Sequence, residues 1–289
     1  MKKIVVILPC PFPIGHEKHL VGVKEDVDNY IEFYTSANGG GYLREEINVL
    51  ENFRPYQLQD VLNLCAGADI ATIIFTGHGG MSSGGRTYLA LNPQERIWVS
   101  QLQTTAKREI FILDNCRTGS VGYNNDTGGG IYGINFGFDT NNLELARVLY
   151  QQHITLSKPG RIALYASSPG QESMDSGLGG KFSLALLQSI LNWNHADEGI
   201  ALSVDKAFEL AKIRLEKTSP GQIPEKRPLH DDSLEIPIAL NPRLYIKNNS
   251  RQKKVVEPVQ QSNGGGWLIA ALIILGLIGL AAASSDSDD

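Results

Sequence analysis

His78 and Cys116 are the two side chains whose type and setting could do nucleophilic chemistry. His78 ends the apolar run Ile70-Ala71-Thr72-Ile73-Ile74-Phe75-Thr76-Gly77 and is followed by Gly79. Cys116 ends the run Glu109-Ile110-Phe111-Ile112-Leu113-Asp114-Asn115, and Gly119 lies just beyond it. Runs of β-branched and aromatic residues bounded by Gly read as buried strands. In an open α/β sheet, ligands bind outside the carboxyl ends of the strands. If these two strands are neighbours, an imidazole and a thiol share one edge, as a Cys–His nucleophile requires. The imidazole takes the thiol proton, and backbone N–H groups hold the oxyanion. The donors expected here are those of Gly79 and Cys116. Taken alone, Cys116 also fits an inert buried cysteine, and His78 a satisfied histidine beside a Gly turn. Both at strand ends, both in Gly-flanked turns, point to chemistry.

The elements that must position them alternate. Strands are expected at Lys3–Leu8, Ile70–Thr76, Glu109–Asp114, Arg161–Ala166 and Ile236–Leu240. Helical periodicity marks Asp26–Tyr34, Gln57–Cys65, Asn142–Gln152, Lys181–Trp193 and Val204–Leu215. Arg86–Leu91 reads as a small extended excursion after the His78 turn. Strands alternating with helices imply a mostly parallel sheet covered on both faces. Gly119–Asn142 is rich in Gly, Asn and Asp, so it reads as a loop, either mobile beside the site or a plain insertion.

The totals narrow the function classes. The chain has 289 residues, 42% of them hydrophobic and 20% charged, which is enough for a large folded domain. A net charge of -5 argues against a nucleic-acid binder. Three cysteines (Cys10, Cys65 and Cys116) cannot all pair within one chain, and no C-x-x-C spacing suggests zinc. A reducing compartment is the simpler expectation. Cys65 falls on an apolar helix face and is expected in the core.

The C-terminal part differs in kind. Residues 248–266 are polar and end in three glycines, which reads as a flexible linker. Residues 267–283 carry no charge, at the lower end of the roughly 17–25 residues a membrane-spanning helix needs. Trp267 suits an interface, Arg251, Lys253 and Lys254 precede the stretch, and 284–289 is an acidic tail. By the positive-inside rule, the large N-terminal part, 1–247, stays cytoplasmic.

Hydrophobic–His78–Gly79, followed by hydrophobic–Asp114-Asn115-Cys116-Arg117-Thr118-Gly119, resembles the caspase and metacaspase group of cysteine peptidases. In caspases the His lies about 50 residues before the Cys. The shorter gap here, and the Asp two before the Cys, are more similar to metacaspases and their bacterial relatives. Gly22-Val23-Lys24-Glu25-Asp26-Val27 resembles that family's Gly-x-x-x-Asp-Val segment. Ala163–Ser173 resembles its strand and loop beyond the Cys, and Gly179-Gly180-Lys181 opens a helix as in the family.

The resemblance implies a three-layer α/β/α sandwich, a protein or peptide substrate, and His78 with Cys116 as the catalytic pair. It also implies an acidic first pocket formed by Asp26 and Asp114. Two carboxylates there favour Arg or Lys before the cut bond. Calcium, used by many metacaspases, is not carried over, because the loop after the Cys holds only Asp126 and Asp139 as acids. The chemistry requires no cofactor. Two alternatives stay open: a catalytically silent caspase-fold scaffold, and a separase-like peptidase of other specificity.

Overall fold

Apolar runs become strands, and the periodic stretches between them become helices. The computed structural model describes residues 1–119, 140–196 and 198–255. β1 (Lys3–Cys10) leads into α1 (Val23–Thr35), β2 (Ile47–Val49), α2 (Leu58–Cys65) and β3 (Ile70–Gly77). A three-stranded excursion follows: β4 (Gly79–Met81), β5 (Thr87–Ala90) and β6 (Arg96–Trp98). Then come β7 (Arg108–Asp114), α3 (Leu143–Leu156) and β8 (Gly160–Tyr165). A tight pair, β9 (Asp175–Ser176) with β10 (Gly179–Gly180), precedes α4 (Lys181–His195). The rest is β11 (Ala201–Ser203), α5 (Val204–Thr218), β12 (Glu225–Pro228), β13 (Pro237–Leu240) and α6 (Pro242–Val255).

The main sheet runs β12-β8-β7-β3-β1-β2. Its pairs are parallel except for β12, which lies antiparallel on β8. The central strands are buried on both faces, which explains why they read as continuous apolar runs rather than alternations. Val5 and Ile7 of β1 pack with residues of α1, α3, α4 and α5, while Ile4, Val6 and Leu8 pack with Val61 and Cys65 of α2. The fold is therefore α/β, with helices on both sides of a mixed sheet. Contacts within Met1–Lys247 make one compact unit.

Three details differ from expectation. β13 forms where Ile236–Leu240 was expected, but it pairs with β11 in a separate two-stranded sheet. The outer edge of β8 is taken by β12. Next, α6 runs to Val255, so residues 248–255 of the expected linker are helical. No Gly or Pro interrupts 243–255, its Arg, Lys and Gln are good helix formers, and Pro242 suits a first turn. Most of the Gly-rich loop (120–139) and all of 256–289, with the apolar stretch 267–283, lie outside the described residues. Among the described residues, no helix is long and apolar enough to cross a membrane.

Candidate active site

β3 and β7 are neighbours, in a register that sets Thr76 opposite Asp114. The two strands thus end level, and the next turns carry His78 and Cys116. Both line one small cavity, of about 20 Å3, together with Thr76, Asp114, Ser173 and Asp175. That is room for about one water.

His78 is almost fully buried, and its Nε2 lies 2.5 Å from the carbonyl oxygen of Lys18. A carbonyl only accepts, so Nε2–H donates, and a neutral ring then carries its lone pair on Nδ1. The Phe12 ring packs against His78 with centroids 4.3 Å apart. Phe12 itself holds a left-handed backbone, φ 65°. For a bulky residue that costs about 1–3 kcal/mol and persists only where the surroundings impose it. Here they do: the Leu20 N–H donates to the Pro11 carbonyl at 2.8 Å, and His19 Nδ1 meets the Phe12 carbonyl at 2.7 Å.

The glycines around His78 are required by space. A Cβ on Gly77, φ +155°, would lie 2.5 Å from the Cys10 carbonyl oxygen. One on Gly79 would lie 2.3 Å from Asn115 Nδ2. The Ala90 N–H donates to the His78 carbonyl, so the ladder bonds between β4 and β5 pass through residues 78 and 80. In an antiparallel ladder the intervening residue turns its N–H away from the partner strand. The Gly79 N–H therefore faces the side on which the Met81 N–H donates to the Thr118 carbonyl, the side of the Cys116 turn.

Cys116 is buried, and Ser173 holds it. The Ser173 N–H donates to Sγ at 3.2 Å, and Sγ–H donates to the Ser173 carbonyl at 3.4 Å. Burial pushes the thiol up to about 11, against the pull of the Ser173 N–H, with the charges of Glu172 and Asp114 adding to the rise. The following residue, Arg117, is fully buried. Its guanidinium pairs with Glu225 of β12, donates to Thr87 Oγ1 at 3.2 Å and lies 4.2 Å over the Tyr165 ring. Its backbone N–H donates to Gln171, and its carbonyl accepts from Gly170. Arg117 thus fastens the Cys116 turn both to the sheet and to the loop that carries Ser173.

Three carboxylates gather beneath the cavity. Asp26 accepts from Thr76 Oγ1 at 2.5 Å and from the Gly180 N–H at 3.0 Å. Asp114 accepts from Ser173 Oγ at 2.8 Å, and from both the N–H and the Oγ of Ser183 at 2.9 and 2.8 Å. Asp175 accepts from the Gly22 N–H at 3.1 Å. Burial, with the Asp114 charge adding, pushes Asp26 well above the usual carboxylate range, and burial raises Asp114 too. Burial likewise takes Asp175 to about 6. Gly22, Gly179 and Gly180 let the backbones close on these acids, since a Cβ at each would fall within 2.4 Å of one of them. The Gly22–Asp26 segment therefore clamps the β9–β10 pair onto the start of α1.

The structure thus brings His78, Gly79, Cys116, Asp26 and Asp114 to one place. Asp175 and Ser173 belong there too, although neither stands out in the sequence. The one available signal was the Gly179-Gly180 pair, which closes the short hairpin that turns Asp175 inward. Among the described residues, no group of His, Cys, Asp and Glu could hold a metal ion.

Comparison with known proteins follows the same line. The family model of the caspase domain matches residues 2–231. No curated protein matches the chain. Among solved structures, caspase-1 from Spodoptera frugiperda is similar, with a TM-score of 0.50 at 13% identity, covering 78% of this chain and 86% of that one. At that identity the likeness speaks for the fold alone.

Proposed function

The chain belongs to the caspase-domain family of peptidases, and on that premise we propose that it is an active cysteine endopeptidase cutting after Arg or Lys. The observation that carries this reading is one cavity lined by His78, Cys116 and Asp114 at level strand ends. Cys116 gives its proton to His78 Nδ1, and the thiolate adds to the peptide carbonyl. The N–H groups of Gly79 and Cys116 receive the oxyanion. His78 then protonates the departing amine, leaving a thioester on Cys116. His78 next takes a proton from water, which adds to the thioester carbonyl. Collapse releases the carboxylic acid and returns the thiol. Asp26, Asp114 and Asp175 receive the cationic side chain before the cut bond, and a guanidinium suits several carboxylates at once.

The test is a set of fluorogenic peptides ending in Arg, Lys, Asp or Leu, given to the full-length chain and to Cys116→Ala. Turnover after Arg and Lys that vanishes in the variant supports the reading. Turnover after Asp alone rejects the acidic pocket. A second reading, a silent scaffold, is favoured by the narrow cavity and the protonated, Ser173-bound thiol. No turnover of any peptide, together with full biological effect of Cys116→Ala, would establish it.

The apolar stretch 267–283 is the basis for a further part of the proposal, a single C-terminal membrane anchor with the peptidase domain on the cytoplasmic side. Flotation with lipid vesicles checks it. The full chain rises with the lipid and a chain ending at residue 266 stays below; equal behaviour of the two rejects the anchor.

A further inference from the structure

A second, larger cavity of about 480 Å3 lies between the Phe12–Lys18 loop and the Tyr88–Arg96 segment, over residues that pack on His78. Its floor is Phe12, Tyr88 and Ala90, which pack together as an apolar cluster. Its rim is polar and mixed in sign, with Glu17 and Glu95 against Lys18 and Arg96. Three of the lining residues, Phe12, Lys18 and Ala90, are tied to the histidine. Phe12 packs on its ring, the Lys18 carbonyl holds its Nε2, and the Ala90 N–H holds its backbone carbonyl.

We infer that this cavity is the subsite for the peptide on the leaving side of the cut bond, and that it takes a large apolar side chain. This rests on the peptidase reading above. The residue before the cut points into the acidic pocket under Cys116. The general acid must reach the departing nitrogen, so that nitrogen lies at His78. The chain beyond it continues from His78 away from the acids, toward the ring of Phe12 and the floor beside it. An apolar floor suits an apolar side chain. A rim with both signs of charge gives no net pull on acidic or basic ones. The left-handed Phe12, held by contacts on both sides of it, keeps that floor in a fixed place.

The test uses the full-length chain in detergent micelles. One series is internally quenched peptides with Arg before the cut and Phe, Leu, Gly or Asp at the first two positions after it. The other is Arg–aminomethylcoumarin peptides, which have no residue after the cut. The expected result is a kcat/KM at least about tenfold higher with Phe or Leu than with Gly or Asp, within the range one buried apolar group supplies. Ala90→Leu, which fills the floor, should shrink that ratio toward one. Coumarin turnover with leaving-side preferences within twofold of each other would overturn the subsite while leaving the peptidase standing. Silence on both series removes the peptidase reading and this site with it. The wild-type comparison stands whether or not Ala90→Leu folds.

Discussion

Ser173 meets Cys116 with both of its backbone groups: its N–H donates to Sγ at 3.2 Å and its carbonyl accepts the Sγ–H at 3.4 Å. The thiol proton thus has an acceptor in the Ser173 carbonyl, and the cavity that Cys116 and His78 line together is about one water in size.

The first prediction concerns the thiol. At about 11, Cys116 holds far less thiolate at neutral pH than a free cysteine near 8.5. Without substrate, its alkylation by iodoacetamide at pH 7.5 should be at least about 100-fold slower than that of a free thiol, rising roughly tenfold per pH unit toward 11. Residue-resolved mass spectrometry measures it. Fast labelling at neutral pH would mean that Cys116 is already paired with His78.

The carboxylates predict opposite trends for stability and activity. Asp175 titrates at about 6 in the fold and at about 3.9 when unfolded. Between those values the folded state binds more protons, so stability falls as pH rises through that window. Asp26 and Asp114, raised in the same direction, add to the slope. Binding of a cationic side chain needs the charged forms. On lowering pH from 7 to 5, these acids should therefore raise Tm, opposed by His153, whose pKa burial lowers, while kcat/KM on Arg peptides drops. Asp175→Asn should flatten the Tm slope. Equal slopes in variant and wild type would show that Asp175 is solvated.

Much of this arrangement is legible in the sequence because it rests on buried strands. β3 is apolar but for two threonines and β7 carries the apolar run Ile110–Leu113, and the turns carrying His78 and Cys116 stand out against them. What stays hidden has no periodic signal. Asp175 sits on a two-residue strand whose inward turn depends on glycines meeting Asp26 and Asp114 across the fold. β12 reads Glu-Lys-Arg-Pro and is a strand only because β8 offers it an edge. Phe12 adopts a backbone its residue type disfavours, for reasons that lie in His19, Leu20 and His78.

Arg117 supplies a test of what holds the nucleophile turn. Its charge is fully buried and paired with Glu225. Removing one partner of a buried pair costs about 3–5 kcal/mol. Arg117→Met should sit near the low end, because Glu225 retains some solvent contact, and a loss of about 3 kcal/mol lowers Tm by roughly 6–12 °C in a domain of this size. Adding Glu225→Leu should restore part of the loss, since no buried charge is then left unpaired: Arg227, the other partner of Glu225, is half exposed. Thermal melts of the two singles and the double decide it. A double variant as unstable as the sum of the singles would mean that the pair does not act as one.

Gly79 separates catalysis from folding. Its N–H faces the Cys116 turn, and a Cβ there would lie 2.3 Å from Asn115 Nδ2 and 2.8 Å from the Tyr88 carbonyl oxygen. Gly79→Ala must therefore shift the strand end that aims the N–H. Loss of one oxyanion donor costs about 100- to 1,000-fold in kcat. Gly84, on the same excursion, has only Ser82 Oγ at 3.8 Å from its Cβ position, so Gly84→Ala serves as the control. The expected result is a kcat for Gly79→Ala lowered in that range with KM nearly unchanged, and Gly84→Ala like wild type. A Gly79→Ala enzyme with full kcat would remove this N–H from the oxyanion site and leave Cys116 as its only proposed donor.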